Sequence, residues 1–459
     1  MDMILDWMRW IGGNATIYLL PFLAVIGVLV FVHEFGHYFV ARLCGVKVET
    51  FSIGFGKKLW SRRDKNGTEW QVALFPLGGF VKMFGDTDPA SAGFTESVKE
   101  GEQIRQMTPA EREHAFFAKK VWQRALIVFA GPAINFLFAI VILTTMYMTV
   151  GQPVTPPIAG AVIVGSPADK AGFMPGDRIV SIDGERVKRF ADIQRHVAVT
   201  LAQPLTIEVE RDDKVIAIKD VAPRVDTVTD RFGFSHSRGL LGIIGPGTGI
   251  TPEGITAVQG RKGDIVAQLN SRMDKPVTTL RMQAAGDLPE QEIKVHLDRA
   301  LNKELIEKRD TKRGIVLAPT VEKEVVQYGL FGGIKAALDE TWFVSAGTLQ
   351  SLGQMIIGTR SPQELGGLIR IGAVTGDAAQ AGILALLTLA ALLSINLGLI
   401  NLLPIPMLDG GHLLFYAIEA VKGGPVPERI QNAALQFGFM VLIGLMLFAN
   451  LNDIFQLAK

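Results

Sequence analysis

One cysteine, Cys44, stands among 459 residues, which excludes any disulfide within the chain. The redox compartment stays open, because a domain outside the cytoplasm can fold without cysteines. The chain also lacks a charge imbalance. Its 46 Lys and Arg face 45 Asp and Glu, so there is no basic surface suited to nucleic acid and no strongly acidic tail. A basic leader is missing as well: residues 1–15 carry Asp2, Asp6 and a single Arg9, and no A-x-A-like site follows the apolar run. The first helix is therefore expected to stay in the mature protein.

What the chain has is apolar length. Hydrophobic residues make up 48% and the mean hydropathy is +0.29, and the chain is long enough for about three domains. Four runs, Thr16 to Ala41, Ala125 to Val150, Ile383 to Leu403 and Ala433 to Leu451, meet the signal of roughly 18 or more apolar residues. The second contains "FAGPAINF" and the third ends in "NLLPIPMLDGG". Polar or broken helix at membrane depth is tolerated only where it faces protein or a cavity, so both are expected to line an interior. Lys and Arg cluster after span one (Arg42, Lys47, Lys57, Lys58) and before span two (Arg112, Lys119, Lys120, Arg124). That bias predicts a cytoplasmic loop between spans one and two, with both termini and the large insert outside.

Only span one is interrupted by charge, at "HEFGH". Ionisable residues inside a span are costly, about 3 kcal/mol each, and normally have a partner or a function. On a helix, His33 and His37 share a face, and both can present a ring nitrogen to one ion while Glu34 sits one step around the turn. Zinc accepts imidazole and, in a catalytic site, a third protein ligand plus a water; the glutamate is then placed to take a proton from that water. Asp409, just past the inner end of span three, should lie at the depth of the histidines, and Gly410 and Gly411 would let the backbone approach a metal closely. His412, three residues on, could reach the same site or support it from behind. A metal transporter would need polar residues crossing the bilayer, which spans two and four do not offer. A scaffold with a dead site is disfavoured by the intact His33, Glu34, His37 and Asp409.

These three motifs together resemble the site-2 proteases, intramembrane zinc metalloproteases, and most closely their bacterial sigma-E branch. The resemblance implies one Zn2+ per chain held by His33, His37 and Asp409, with Glu34 catalytic and with Asn401, Pro404 and Pro406 helping to receive the substrate. It implies regulated intramembrane proteolysis of single-span membrane proteins, such as an anti-sigma factor or remnant signal peptides. The setting it implies is the bacterial cytoplasmic membrane and its lipid, with the active site towards the cytoplasm. The alternating stretch from about 48 to 85, turning at "KNG", predicts a β-hairpin. In this family such strands pair with the extended substrate, which holds a helical peptide bond open to water.

Within the insert, "AGFMPGDRIVSIDG" resembles a PDZ domain over 155–224, a module that binds peptide by strand addition. Relatives of this branch usually carry two such domains, yet 225–320 shows no second copy of the signature and reads as a divergent PDZ-like or β-rich module. Residues 321–382 have helical apolar spacing and predict amphipathic connecting helices at the outer surface. The expected architecture is thus a polytopic α-helical membrane protein with four transmembrane helices, an inserted extracytoplasmic α+β PDZ domain and a cytoplasmic-side hairpin. Residues 1–150 form one half of the membrane core and 383–459 the other.

Overall fold

The computed structural model describes residues 2–86, 97–100, 103–247, 250–283, 290–317 and 324–458. Among them, four helices are long and apolar enough to cross a membrane: Thr16–Leu43, Val121–Thr149, Ile383–Asn401 and Glu428–Leu457. Helices satisfy every backbone group within one segment, which is what an apolar slab demands. Span one is the latter part of a longer helix, Asp2–Leu43, with Pro21 in its interior.

Span two is the hub. Against span one it packs through small residues, and a Cβ at Gly36 would overlap the Ala130 carbonyl oxygen. Without a hydrophobic drive between helices in lipid, such close backbone approach is what dispersion needs. Against span three it buries Ala139 and Leu143 with Ala391 and Ile395, and the same cluster takes in Ala337. Ala337 belongs to Leu330–Ile356, the first of two helices found in the 321–382 region, which packs along spans two and three. The second, Leu368–Ala381, has its N-terminus held by Asp453 of span four, whose Oδ2 accepts the Gly367 and Arg370 amides at 2.9 Å each. A carboxylate there satisfies amides that a helix start leaves unpaired.

The expected hairpin is formed by Val48–Arg63 and Glu69–Met83. Its turn is tied by Asp64 Oδ1, which accepts the Asn66 and Thr68 amides at 2.8 and 3.0 Å. The register is unusual: Ser52 pairs with both Gln71 and Phe80, so residues 69–72 and 79–82 lie on opposite sides of 50–53. The 79–82 run is therefore an edge among the described residues.

The insert has two hydrophobic cores that share a strand. Val162 points into the core with Phe173, Ile179, Ile207 and Val209. Its neighbour Ala161 points into the other, with Leu269, Leu280, Ile293 and Val295. Alternation of side chains across a strand makes this possible. Accordingly Ala161–Ile163 pairs with Gln291–Val295 on one side and Ile243–Ile244 on the other. Leu241, beyond position 224, also belongs to the first core. Packing is thus continuous across the 224/225 division expected from the sequence.

Gly36→Val is expected to force spans one and two apart and to destabilise the detergent-solubilised chain by about 1–3 kcal/mol, as overpacking does. Gly27→Val, where a Cβ meets nothing within 4 Å, should leave it unchanged. Thermal unfolding of the two variants side by side checks this.

Candidate metal centre

Helical spacing does what the sequence demanded of it. His33 and His37 turn their Nε2 atoms to within 3.3 Å of each other. Asp409 closes the triangle, with Oδ2 3.2 Å from His33 Nε2 and Oδ1 3.5 Å from His37 Nε2. All three side chains are largely buried, and one ligand atom from each lies within 4.8 Å of the others.

The surrounding bonds bear on the tautomers. His37 Nδ1 lies 2.9 Å from the Ile127 carbonyl oxygen, to which only an N–H can donate, so the Nε2 lone pair points at its neighbours. His33 Nδ1 lies 3.0 Å from the amide of Asn135, a fully buried residue in span two. Asn135 Oδ1 is buried with no hydrogen-bond partner. Exchanging the amide's O and N, which hydrogen-bond logic permits, lets Oδ1 accept from His33 Nδ1–H and frees a second Nε2 lone pair. Two lone pairs and a carboxylate then face one another. Asp409 Oδ2 is itself buried without a hydrogen-bond partner. Such a donor set calls for a proton or a metal ion among its members, and two imidazoles with a carboxylate suit zinc. The residues fit the metal.

Local sequence explains how close the parts come. The His33 and His37 rings press on the span-two backbone at Gly131, where a Cβ would overlap His37 Nε2. Asp409 starts the helix Asp409–Lys422 after a Pro-broken loop, in which Met407 holds a φ of 83°. That is a rare conformation for a non-glycine residue, and strain of this kind tends to collect near functional sites. A Cβ at Gly410 or Gly411 would overlap the carbonyls of Leu403 and Ile405, so the "DGG" run lets the helix start against the loop.

A cavity of about 320 Å³ opens on the triangle, lined among others by Glu34, Gly79, Phe80, Asn401, Asp409 and His412. Glu34 is thus in the same cavity as the candidate ligands. Gly79 of the hairpin edge lies so close that a Cβ there would stand 2.9 Å from Glu34 Cγ. Of the residues expected to receive substrate, Asn401 lines the cavity. Pro404 is exposed and Pro406 abuts Gly438 of span four, and neither is part of the lining. Sequence reasoning had no role for Asn135 or Ile127. The clue was an asparagine inside an apolar run, at "GPAIN".

Further along the wall lies Asp86. Burial pushes its carboxyl up to about 7, with Glu49 adding to the rise and Lys82 opposing it.

Peptidase family M50 matches residues 21–445. A relative in Agrobacterium fabrum with zinc metalloprotease in its name is 35% identical over 97% of each chain. Regulator of sigma-E protease RseP of Escherichia coli is 34% identical over 96% of this chain and 98% of its own. Its namesake in Salmonella typhimurium is 35% identical with the same coverage.

Asn135→Ala is expected to weaken zinc binding by about 10–100-fold, the usual cost of losing a residue that orients a ligand. Competition with a chromogenic chelator measures it. For Asp86 the unfolded carboxyl ionises near 3.8 and the folded one near 7, so the folded state loses stability as pH rises through that window. Asp86→Asn should therefore raise the unfolding temperature over wild type at about pH 8 and match it at about pH 3, below both values.

Proposed function

The chain belongs to peptidase family M50, the site-2 zinc metalloproteases, and on that footing we propose that His33, His37 and Asp409 hold the zinc and Glu34 is the general base. The observation that carries the reading is the convergence of three ligand atoms within 4.8 Å in the cavity that Glu34 lines. Bound there, zinc supplies a Lewis acid that polarises a carbonyl oxygen and brings the pKa of a water to roughly 7. Glu34, in the wall of the same cavity, would take a proton from a water attacking the scissile carbonyl and return it to the departing amine.

Substrates are single-span membrane proteins, with anti-sigma factors and remnant signal peptides as the class in this branch. A helical peptide bond is shielded by its own hydrogen bonds. The free edge at 79–82 can take up such a segment as an added strand and present it, unwound, beside Glu34. Asn401 lines the cavity and supplies a polar contact for the chain; Pro404 and Pro406 shape the loop that carries Asp409. The charge bias of the loops puts this cavity on the cytoplasmic side of the bacterial inner membrane and the insert on the periplasmic side.

The insert adds a second recognition element of PDZ type. A groove of about 430 Å³ lies between the helix Phe190–Thr200 and the 238–243 segment, lined by Gln194, Arg195, Val197, Arg238, Leu241 and Ile243. An extended peptide of a substrate ectodomain fits such a groove by strand addition, beside Arg195 and Arg238, which are themselves paired with Glu340 and Asp226.

Reconstituted wild type and Glu34→Gln, given a single-span test substrate, decide the matter. Both should bind about one zinc per chain. Cleavage by the variant should fall about 10²–10⁴-fold, the usual contribution of a positioned base. Equal cleavage by both removes Glu34 from the chemistry, and wild type without zinc removes the ligand assignment.

A further inference from the structure

The third ligand is the least secured of the three. His33 and His37 sit on a continuous helix and are each oriented by span two, whereas Asp409 follows a broken loop and, among the described residues, its carboxylate pairs with the histidines alone. Something else must fix the helix Asp409–Lys422 relative to span two.

Span two packs along that helix, and one ion pair anchors the packing at its far end. Arg124, in the first turn of span two, donates Nη2–H to Glu419 Oε1 at 2.6 Å. Its guanidinium also stands 4.9 Å from the ring centre of Tyr416, and its Nε–H donates to the Lys119 carbonyl at 3.2 Å. The charged pair is largely shielded, at 15% and 13% side-chain exposure, so water competes weakly for either partner. Glu419 lies on the same helix as Asp409, about 15 Å along its axis at the usual rise. Span two carries, in order, Arg124, the Ile127 carbonyl on His37, Gly131 under both rings and Asn135 on His33. A single helix thus gauges both histidines and also grips the helix that delivers the aspartate.

We propose that Arg124, Glu419 and Tyr416 form a clamp that positions Asp409 on the zinc, so that breaking it loosens the metal from a distance. The proposal rests on the ligand assignment above. Arg124 and Glu419 are positioning residues: they set the register between two helices, and a buried ion pair serves such geometric specificity better than it serves stability.

The test uses full-length protein in detergent with zinc or cobalt(II) as the probe. Wild type and His37→Ala first establish that metal binding depends on the assigned ligand. Arg124→Met and Glu419→Gln are then expected to weaken zinc about 10–100-fold in chelator competition, the range seen when ligand-orienting groups are lost. They should also change the visible cobalt(II) spectrum, which reports ligand geometry. The exchanged pair, Arg124→Glu with Glu419→Arg, should recover part of the affinity. Wild-type affinity and spectrum in the single variants overturn the proposal. So does a fall in the metal-free unfolding temperature with an unchanged spectrum, which marks an ordinary structural pair. Should Arg124→Met fail to fold, Glu419→Asp, which keeps the charge and shortens the reach, decides by the same two readouts. Zinc bound equally by wild type and His37→Ala sinks the ligand assignment and the clamp with it.

Discussion

Two imidazoles and a carboxylate brought together inside an apolar helical core need a positive charge among them, a proton or a metal ion, and this donor set suits zinc. That constraint organises the rest of the molecule. Each donor is costly at membrane depth, so each is held in place by its surroundings. His37 is turned by a backbone carbonyl and His33 by a buried asparagine, while Asp409 arrives on a helix that starts at a glycine pair. Span two supplies most of this support. It contacts spans one and three and the Asp409 helix, and its glycine at position 131 is what lets the imidazole rings lie against its backbone. Span two is thus a common wall of the candidate centre, and errors in its packing would reach all three candidate ligands together.

The hairpin solves a different problem. A membrane segment keeps its backbone hydrogen bonds satisfied by staying helical, and the same bonds shield it from hydrolysis. A strand edge at the cavity, as it stands among the described residues, would offer replacement partners for an unwound stretch under the function proposed above. The structure places that edge within reach of Glu34, at Gly79, where the absence of a side chain leaves room. An exposed edge is ordinarily a hazard for aggregation. Here it is short and lies against the cavity, which limits what can add to it.

The legibility of this protein in its sequence followed the range of each interaction. His33, Glu34 and His37 were readable because helical periodicity is local: one turn decides which side chains share a face. The four spans were readable for the same reason, being runs of composition. Asp409 came within reach because topology set its depth and the motif narrowed the choice. Asn135 was noticed as a polar intrusion without being given a partner, since nothing local says which histidine a neighbouring helix will turn towards it. Arg124 and Glu419 were invisible as a pair, separated by 295 residues and typical of loop-flanking charge. In the insert, the small-domain signature was plain. The sharing of Ala161–Ile163 between two cores was not, because alternating side chains read the same whichever core each one enters.

The insert is braced on the membrane core. Arg195, in the wall of the groove, pairs with Glu340 of the helix Leu330–Ile356 at 2.6 Å. Gln354 of that helix donates to the Val199 carbonyl at 2.6 Å, and Arg360 just beyond it donates to the Ser237 carbonyl at 3.3 Å. The groove helix and the segment opposite it are therefore both tied to an element that packs on spans two and three. Modules joined only by linkers would be expected to move independently. Here the bonds to Val199 and Ser237 engage backbone on both sides of the groove, so the groove cannot widen without disturbing the contacts of a helix that shares a core with Ala139, Leu143 and Ile395. That same span-two surface continues, a turn further on, to Asn135 and the candidate metal ligands.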